Sequence, residues 1–135
     1  MLNNEKIMVC VHSSPSGDEL IDRGIRLSKL LHCPLYILTI LPCELAKLDS
    51  SQSESLNSWK QQSEEAGAHF IVKHTEKRKP AEVIKETAHS YNVTQLIVGQ
   101  SGQSRWQEII HGCFVNDLLE NIGEIDLHLV AMQKV

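Results

Sequence analysis

Five short apolar segments limit what this chain can fold into more than any other feature of its sequence. Two of them, Ile7–Val11 and Leu35–Leu41, contain no charged residue and are only as long as a β-strand. Weaker segments of the same kind occupy residues 68–72, 94–98 and 127–131. Strands that are apolar on both faces are typical of parallel sheets covered on both sides. We therefore predict five buried parallel strands.

The segments between these strands show helical periodicity. Ser16 followed three residues later by Glu19 is a capping-box signature for a first helix. We expect that helix to end near His32, because a proline two residues later disfavours helical geometry. We also expect a loop over residues 43–55 and a last helix over residues 114–122. Three sets of residues share a helix face: Leu20, Gly24, Leu27 and Leu31; Leu56, Trp59, Ser63 and Ala66; Ala81, Ile84, Ala88 and Tyr91. Strands and helices that alternate in this way, with right-handed crossovers, predict an α/β fold.

Length and charge narrow the class of protein further. The chain has 135 residues, which fits a single domain over residues 1–135. Its formal net charge of −4 does not favour nucleic acid or an anionic membrane as a partner. No segment approaches the ~18 consecutive apolar residues that cross a bilayer, and the first residues lack the apolar stretch of a signal peptide. We expect a cytoplasmic protein.

The cysteines and histidines do not form a metal-binding pattern. The four cysteines show no CxxC pair, and the seven histidines show no ligand spacing with them. We expect reduced thiols, as in cytosolic proteins, and no metal site.

Glycines after the fourth strand mark the candidate ligand site. In an open parallel sheet, ligands bind beyond the carboxyl ends of the strands, so the loops at residues 12–16 and from Gly99 onward are the places to examine. The second loop carries Gly102 and, after nine residues, Gly112, just before the last predicted helix. Glycines let backbone amides converge on an anion, and a helix N-terminus attracts negative charge. Spacing alone leaves a second interpretation open, in which these glycines only turn the chain.

This glycine pattern resembles a known family. Gly-x2-Gly-x9-Gly-(Ser/Thr) is the nucleotide signature of ATP-binding universal stress proteins, and Gly99, Gly102 and Gly112 match it, with Cys113 where Ser or Thr is expected. The resemblance covers nearly the whole chain in element order. It implies a Rossmann-like three-layer sandwich with a five-stranded parallel sheet in the order 3-2-1-4-5. It also implies that strands one and four lie side by side with their loops facing each other.

A narrower resemblance concerns the second half of the chain. Residues 92–99 (NVTQLIVG), 104–106 (SRW) and 123–130 (GEIDLHLV) look like the stress-protein domain of potassium-sensor histidine kinases of the Kdp type. This resemblance implies a regulatory role in two-component signalling under potassium or osmotic stress. The expected partners are the remainder of a sensor kinase or other stress proteins. The chain carries no kinase motif, so it is either an excised domain or a free-standing relative.

Together the resemblances imply that an adenine nucleotide, ATP or cyclic di-AMP, binds weakly in the cleft between strands one and four. The residues expected to contact it are His12, Ser13, Ser14, Gly99, Ser101, Gly102, Ser104, Arg105, Gly112, Cys113 and Phe114. ATP-binding relatives carry Asp at the position of His12, where it contacts the adenosine. Kinases that bind cyclic di-AMP pair a Ser-x-Ser segment, which Ser14 and Ser16 supply, with a Phe-Thr-Ala segment that this chain lacks. Both ligands therefore remain open.

The sequence carries no motif that favours an enzyme over a nucleotide sensor. No acid–base pair or nucleophile with a partner is found at the two loops, and the Gly-x-Ser-x-Gly motif of serine hydrolases is absent, so we predict no catalytic residues and no enzyme activity. A free-standing interaction module with an empty nucleotide cleft is the remaining alternative. As the edge of the implied sheet, residues 127–131 would expose unpaired backbone groups, and we expect a homodimer through this last strand.

Overall fold

The structure, a computed structural model, describes residues 5–11, 17–41, 50–74, 80–100 and 123–131. Within these ranges strands and helices alternate as far as the fourth strand, and the next described element is the fifth strand. The elements are β1 (Ile7–Val11), α1 (Gly17–Leu31), β2 (Leu35–Leu41), α2 (Ser50–Glu65), β3 (His69–His74), α3 (Pro80–Ser90), β4 (Gln95–Gln100) and β5 (Asp126–Ala131).

The strands form one five-stranded sheet in the order β3-β2-β1-β4-β5. All four pairings between neighbours are parallel. Strand β1 lies at the centre of the sheet and is buried along its whole length. The predicted α/β fold with strand order 3-2-1-4-5 is confirmed.

Two apolar cores cover the two faces of the sheet. On one face, which we call the α1 face, Val9 and Ile97 of the sheet pack with Ile21 of α1 and Trp59 of α2. On the opposite face, the α3 face, the core is built from alternate sheet residues and from α3; its buried members are Met8, Cys10, Leu38, Ile40, Ala81, Val83, Ile84, Ala88, Val93, Leu96 and Val98. Because successive strand residues point to opposite faces, strands that are apolar throughout supply both cores at once.

Glycine lets helix α1 lie close against β1. A Cβ atom at Gly24 would overlap the side chain of Val9, and one at Gly17 would come within 2.5 Å of the Trp59 ring. Both glycines therefore serve close packing on the α1 face, one against the sheet and one against α2. This packing sets where the N-terminus of α1 lies relative to the end of β1.

Each described turn that leads into β2, β3, β4 or β5 contains a residue with positive φ. These residues are His32 (54°), Gly67 (77°), Asn92 (57°) and Gly123 (67°). Left-handed backbone of this kind ends helices sharply and satisfies their last carbonyl groups. The amide of Ala68, for example, donates to the carbonyl of Ser63 at 2.9 Å.

Some predicted boundaries were wrong. The loop predicted over residues 43–55 ends earlier, because α2 already begins at Ser50. The first turn of α2 lacks an amphipathic pattern, and the buried Trp59 further along is what anchors this helix. Strand β3 continues two residues beyond its predicted end, to His74, in register with Leu41 of β2. Pairing to a long neighbour extends a strand past its own apolar run.

Candidate functional site at the carboxyl ends of β1 and β4

Strands β1 and β4 are neighbours, and their carboxyl ends meet at one edge of the sheet. Cys10 of β1 is in register with Val98 of β4, so that Val11 and Gly99 are the next residues along the two strands. From β1 the chain crosses to β2 on one side, whereas β4 leads to β5 on the other. The order of strands therefore reverses between β1 and β4, which is where open α/β sheets form their ligand crevice.

The structure assigns one predicted contact residue to this place. Gly99 is half-buried and lies in β4, opposite Val130 of β5. The other predicted residues lie outside the described residues: His12, Ser13, Ser14, Ser101, Gly102, Ser104, Arg105, Gly112, Cys113 and Phe114. The described strands thus position the beginning of each predicted loop and leave the contacts themselves as predictions.

The sequence predicted that a loop begins at Gly99, and this prediction was wrong. Strand β4 includes Gly99 and Gln100, which pair with Val130 and Ala131 of β5. The apolar run of β4 ends at Val98, and a glycine after it reads as a turn signal. Pairing with β5 overrides that signal and carries the strand two residues further. The loop that was predicted to bind a ligand can therefore begin only after Gln100.

Thr39 is a buried polar residue near this edge that the sequence analysis did not single out. It lies on β2 in register with Val11, and no part of it is exposed. Its hydroxyl is the one buried side-chain polar atom without a hydrogen-bond partner in the described part of the chain. The sequence did contain a signal for this residue, because Thr39 is the one polar side chain with a hydroxyl in the apolar run LYILTIL that is not aromatic. A hydroxyl buried in a strand costs free energy unless it forms a hydrogen bond.

The thiols in the described residues are not activated. Burial raises the pKa of Cys10 well above that of an ordinary thiol, so this cysteine near the end of β1 stays protonated. Burial, and to a smaller extent the charge of Glu5, also raise the pKa of Cys33, which lies at the opposite end of the strands. Both cysteines are free thiols. Neither is suited to act as a nucleophile at neutral pH.

The described ranges contain no group of three or more His, Cys, Asp or Glu side chains that could hold a metal ion. Among their helices, none is long and apolar enough to cross a membrane.

Comparison with known proteins places the chain in a family. Residues 3–122 match the universal stress protein family, so the chain belongs to that family. The resemblance stated from the glycine pattern is confirmed.

One curated relative adds a narrower similarity. The chain is 28% identical over 130 residues to a Synechocystis sp. protein named as the sensor protein KdpD, and the match covers 95% of this chain. It covers 34% of that relative, so the chain spans about a third of the relative's length.

Solved structures share the fold. A universal stress protein in complex with cAMP superposes with a TM-score of 0.70 at 17% identity, covering 96% of this chain and 98% of that one. A universal stress protein from Archaeoglobus fulgidus in complex with dAMP gives a TM-score of 0.58 at 15% identity, again over 96% and 98% of the two chains. At these identities the likeness establishes the fold.

Proposed function

We propose that this chain is a regulatory universal stress protein domain that binds an adenine nucleotide weakly between the ends of β1 and β4. The observation that carries the proposal is the position of these ends, side by side where the strand order reverses. The adenine nucleotides, cAMP and dAMP, in two structures of the same fold support the choice of ligand class.

The predicted contacts divide into two groups. In this proposal the phosphates lie on Gly102 and Gly112 and on the amides of Cys113 and Phe114, where backbone donors at the predicted start of the last helix would favour negative charge. Ser101 and Ser104 add hydroxyl donors, and Arg105 adds a charge-assisted hydrogen bond. Gly99, the next-to-last residue of β4, lets the backbone of this strand approach the ligand.

The adenosine end is the weak end of this site. His12 follows Val11 directly and stands where ATP-binding relatives carry Asp. Losing one hydrogen bond to a buried group costs about 1–3 kcal/mol, which corresponds to roughly a five- to hundredfold loss of affinity. The domain therefore responds only to high nucleotide concentrations, which suits a sensor more than a carrier.

The cellular role follows the similarity to the Synechocystis sensor protein. We place the chain in signalling under potassium or osmotic stress, as a cytoplasmic input domain or its free-standing counterpart, without enzyme activity of its own. The free thiols Cys10 and Cys33 fit a reducing compartment. Its protein partners in this proposal are a second copy, bound along β5, and the remainder of a sensor kinase.

Titration calorimetry with ATP, cyclic di-AMP and cAMP tests the ligand site. We expect weak binding of at least one of them and its loss in Gly112→Val, because a branched side chain blocks the phosphate cradle. His12→Asp should bind ATP about five- to hundredfold more tightly. The matched control is Gly67→Asn, a glycine substitution before β3 at the other end of the strands, which should leave binding unchanged.

Two outcomes would contradict the proposal. Binding that survives Gly112→Val would place the site elsewhere on the chain. No heat from any of the three nucleotides at millimolar concentration would favour the alternative, an interaction module with an empty cleft.

A further inference from the structure

Strand β3 lies at one edge of the sheet, and the hydrogen-bond pattern shows which of its backbone groups point outward. The amide of Ile7 on β1 donates to the carbonyl of Pro34 at 3.1 Å, and bonding of this kind alternates along a parallel ladder. Since Pro34 and every second residue after it bond β1, Ile37 turns its backbone groups to β3. There it bonds the residues on either side of its register partner, Phe70. The backbone groups of Phe70 and Val72 therefore point away from the sheet.

The side chains of β3 combine an apolar middle with an exposed positive charge. Phe70 and Val72 are half-buried and share the α1 face. Lys73 is exposed and lies on the α3 face, because its register partner Ile40 belongs to the core on that face. Within the described ranges Lys73 takes part in no ion pair. A strand placed beside β3 would meet both apolar side chains and this charge.

His69, the other exposed side chain of β3, is held over the neighbouring strand. Its ring stacks on that of Tyr36 of β2, with 5.1 Å between the centroids and 21° between the planes. The ring of Tyr36 in turn contacts that of Tyr91 at 5.0 Å. Lys73 is therefore the exposed side chain of β3 that can reach across the edge.

The charge of this part of the chain is opposite to that of the whole. The chain has a formal net charge of −4, but β3 contains no acidic residue. Residues 69–79 (HFIVKHTEKRK) continue with further lysine and arginine residues, and those beyond β3 enter only through their charge. Opposite charges on neighbouring strands stabilise a sheet, whereas like charges destabilise it. The edge therefore favours an acidic strand, which a second copy of β3 does not supply.

We propose that β3 binds an extended acidic segment of a partner protein, which adds to the sheet as a further parallel or antiparallel strand. Main-chain hydrogen bonds to Phe70 and Val72 hold the segment, as in other cases of peptide binding by strand addition. Side chains of a strand alternate between faces, so one set lies beside Phe70 and Val72 and the other beside Lys73. A segment that alternates apolar and acidic residues fits both sets. This site depends neither on a bound nucleotide nor on β5.

Nitrogen–proton correlation spectra of the labelled full chain, recorded without nucleotide, test this site. The probes are two capped peptides of about six residues, the length of β3, in which valine alternates either with glutamate or with lysine. We expect the glutamate peptide to shift the amides of Phe70 and Val72 more than that of Ile71, which bonds β2. The lysine peptide should leave all three in place.

Two substitutions separate the role of the backbone from that of the charge. Val72→Pro removes an outward N–H and no bond of the sheet, so the domain should stay folded and lose the glutamate peptide. Lys73→Glu should weaken binding of the glutamate peptide about three- to tenfold and allow the lysine peptide to bind. The matched control is Lys85→Glu, at an exposed lysine of α3, which should leave the preference unchanged.

Four results would contradict the proposal. Equal binding of the two peptides, or an unchanged affinity of Lys73→Glu for the glutamate peptide, would overturn the acidic partner. No shift at Phe70 and Val72 with either peptide at millimolar concentration would overturn the site itself. Unfolding of Val72→Pro would contradict the outward direction of that amide. Shifts of these amides that grow with protein concentration, without peptide, would assign the edge to a second copy of the chain.

Discussion

The two ends of the strands in this sheet are built differently. At the amino end, the turns into β2, β3, β4 and β5 each carry a left-handed residue: His32, Gly67, Asn92 and Gly123. At the carboxyl end, β1 and β4 lead into residues 12–16 and 101–122, which hold every predicted nucleotide contact except Gly99. Local backbone rules determine the amino end, while the carboxyl end leads to the residues that are predicted to contact a ligand. Stability and binding should therefore respond to substitutions at different ends.

The hydroxyl of Thr94 is the sharpest probe of the amino end. It accepts a hydrogen bond from the amide of Lys6 at 3.0 Å and donates to the carboxylate of Glu5. We expect Thr94→Val to lower the free energy of unfolding by about 1–3 kcal/mol, because it leaves the half-buried Lys6 amide without this acceptor. Urea unfolding measures the effect.

The controls for Thr94 separate its hydroxyl from its size. Thr94→Ser keeps the hydroxyl and should recover most of the stability. Nucleotide affinity should be unchanged in both variants, since Thr94 lies just before β4, at the amino end of that strand. A loss of nucleotide binding in folded Thr94→Val would contradict the claim that stability and binding depend on opposite ends of the strands.

The same substitution at Thr39, toward the carboxyl end of β2, should have the opposite and smaller effect. The Thr39 hydroxyl is fully buried with no partner in the described residues, so Thr39→Val replaces an unsatisfied polar group by a methyl group of the same shape. We expect the free energy of unfolding to stay equal or to rise by up to about 1 kcal/mol. Thr39→Ser, which keeps the hydroxyl and loses the methyl group, should destabilise the domain. A clear loss of stability in Thr39→Val would mean that the hydroxyl has a partner near the ligand edge.

The sequence could predict the elements whose boundaries depend on a local pattern, but not those whose boundaries depend on long-range contacts. Apolar runs and helix periodicity located β1, β2, α1 and α3 within about two residues, because their patterns arise from burial on both faces of the sheet. The start of α2 at Ser50 and the inclusion of Gly99 in β4 were missed. These boundaries depend on Trp59 packing and on pairing with β5, which are long-range contacts that a local pattern does not contain.

The site is less predictable from local pattern than the fold. The glycine spacing and the family resemblance indicated which loops to examine, and the structure confirms that β1 and β4, the strands before those loops, lie side by side. The pairing of His128 with Gln95 was not foreseen, since it joins residues on two strands through a side-chain hydrogen bond. The sequence could indicate only that Gln95 and His128 lie on the same face of two neighbouring strands.

A nitrogen–proton correlation spectrum of the labelled chain, recorded with increasing ATP, tests the division between the two ends most directly. The account predicts that the amides of Val11 and Gly99, at the carboxyl ends of β1 and β4, shift progressively, while those of Asn92 and Thr94 at the amino end stay in place. Shifts confined to the amino-end turns, or no shift at millimolar ATP, would contradict it.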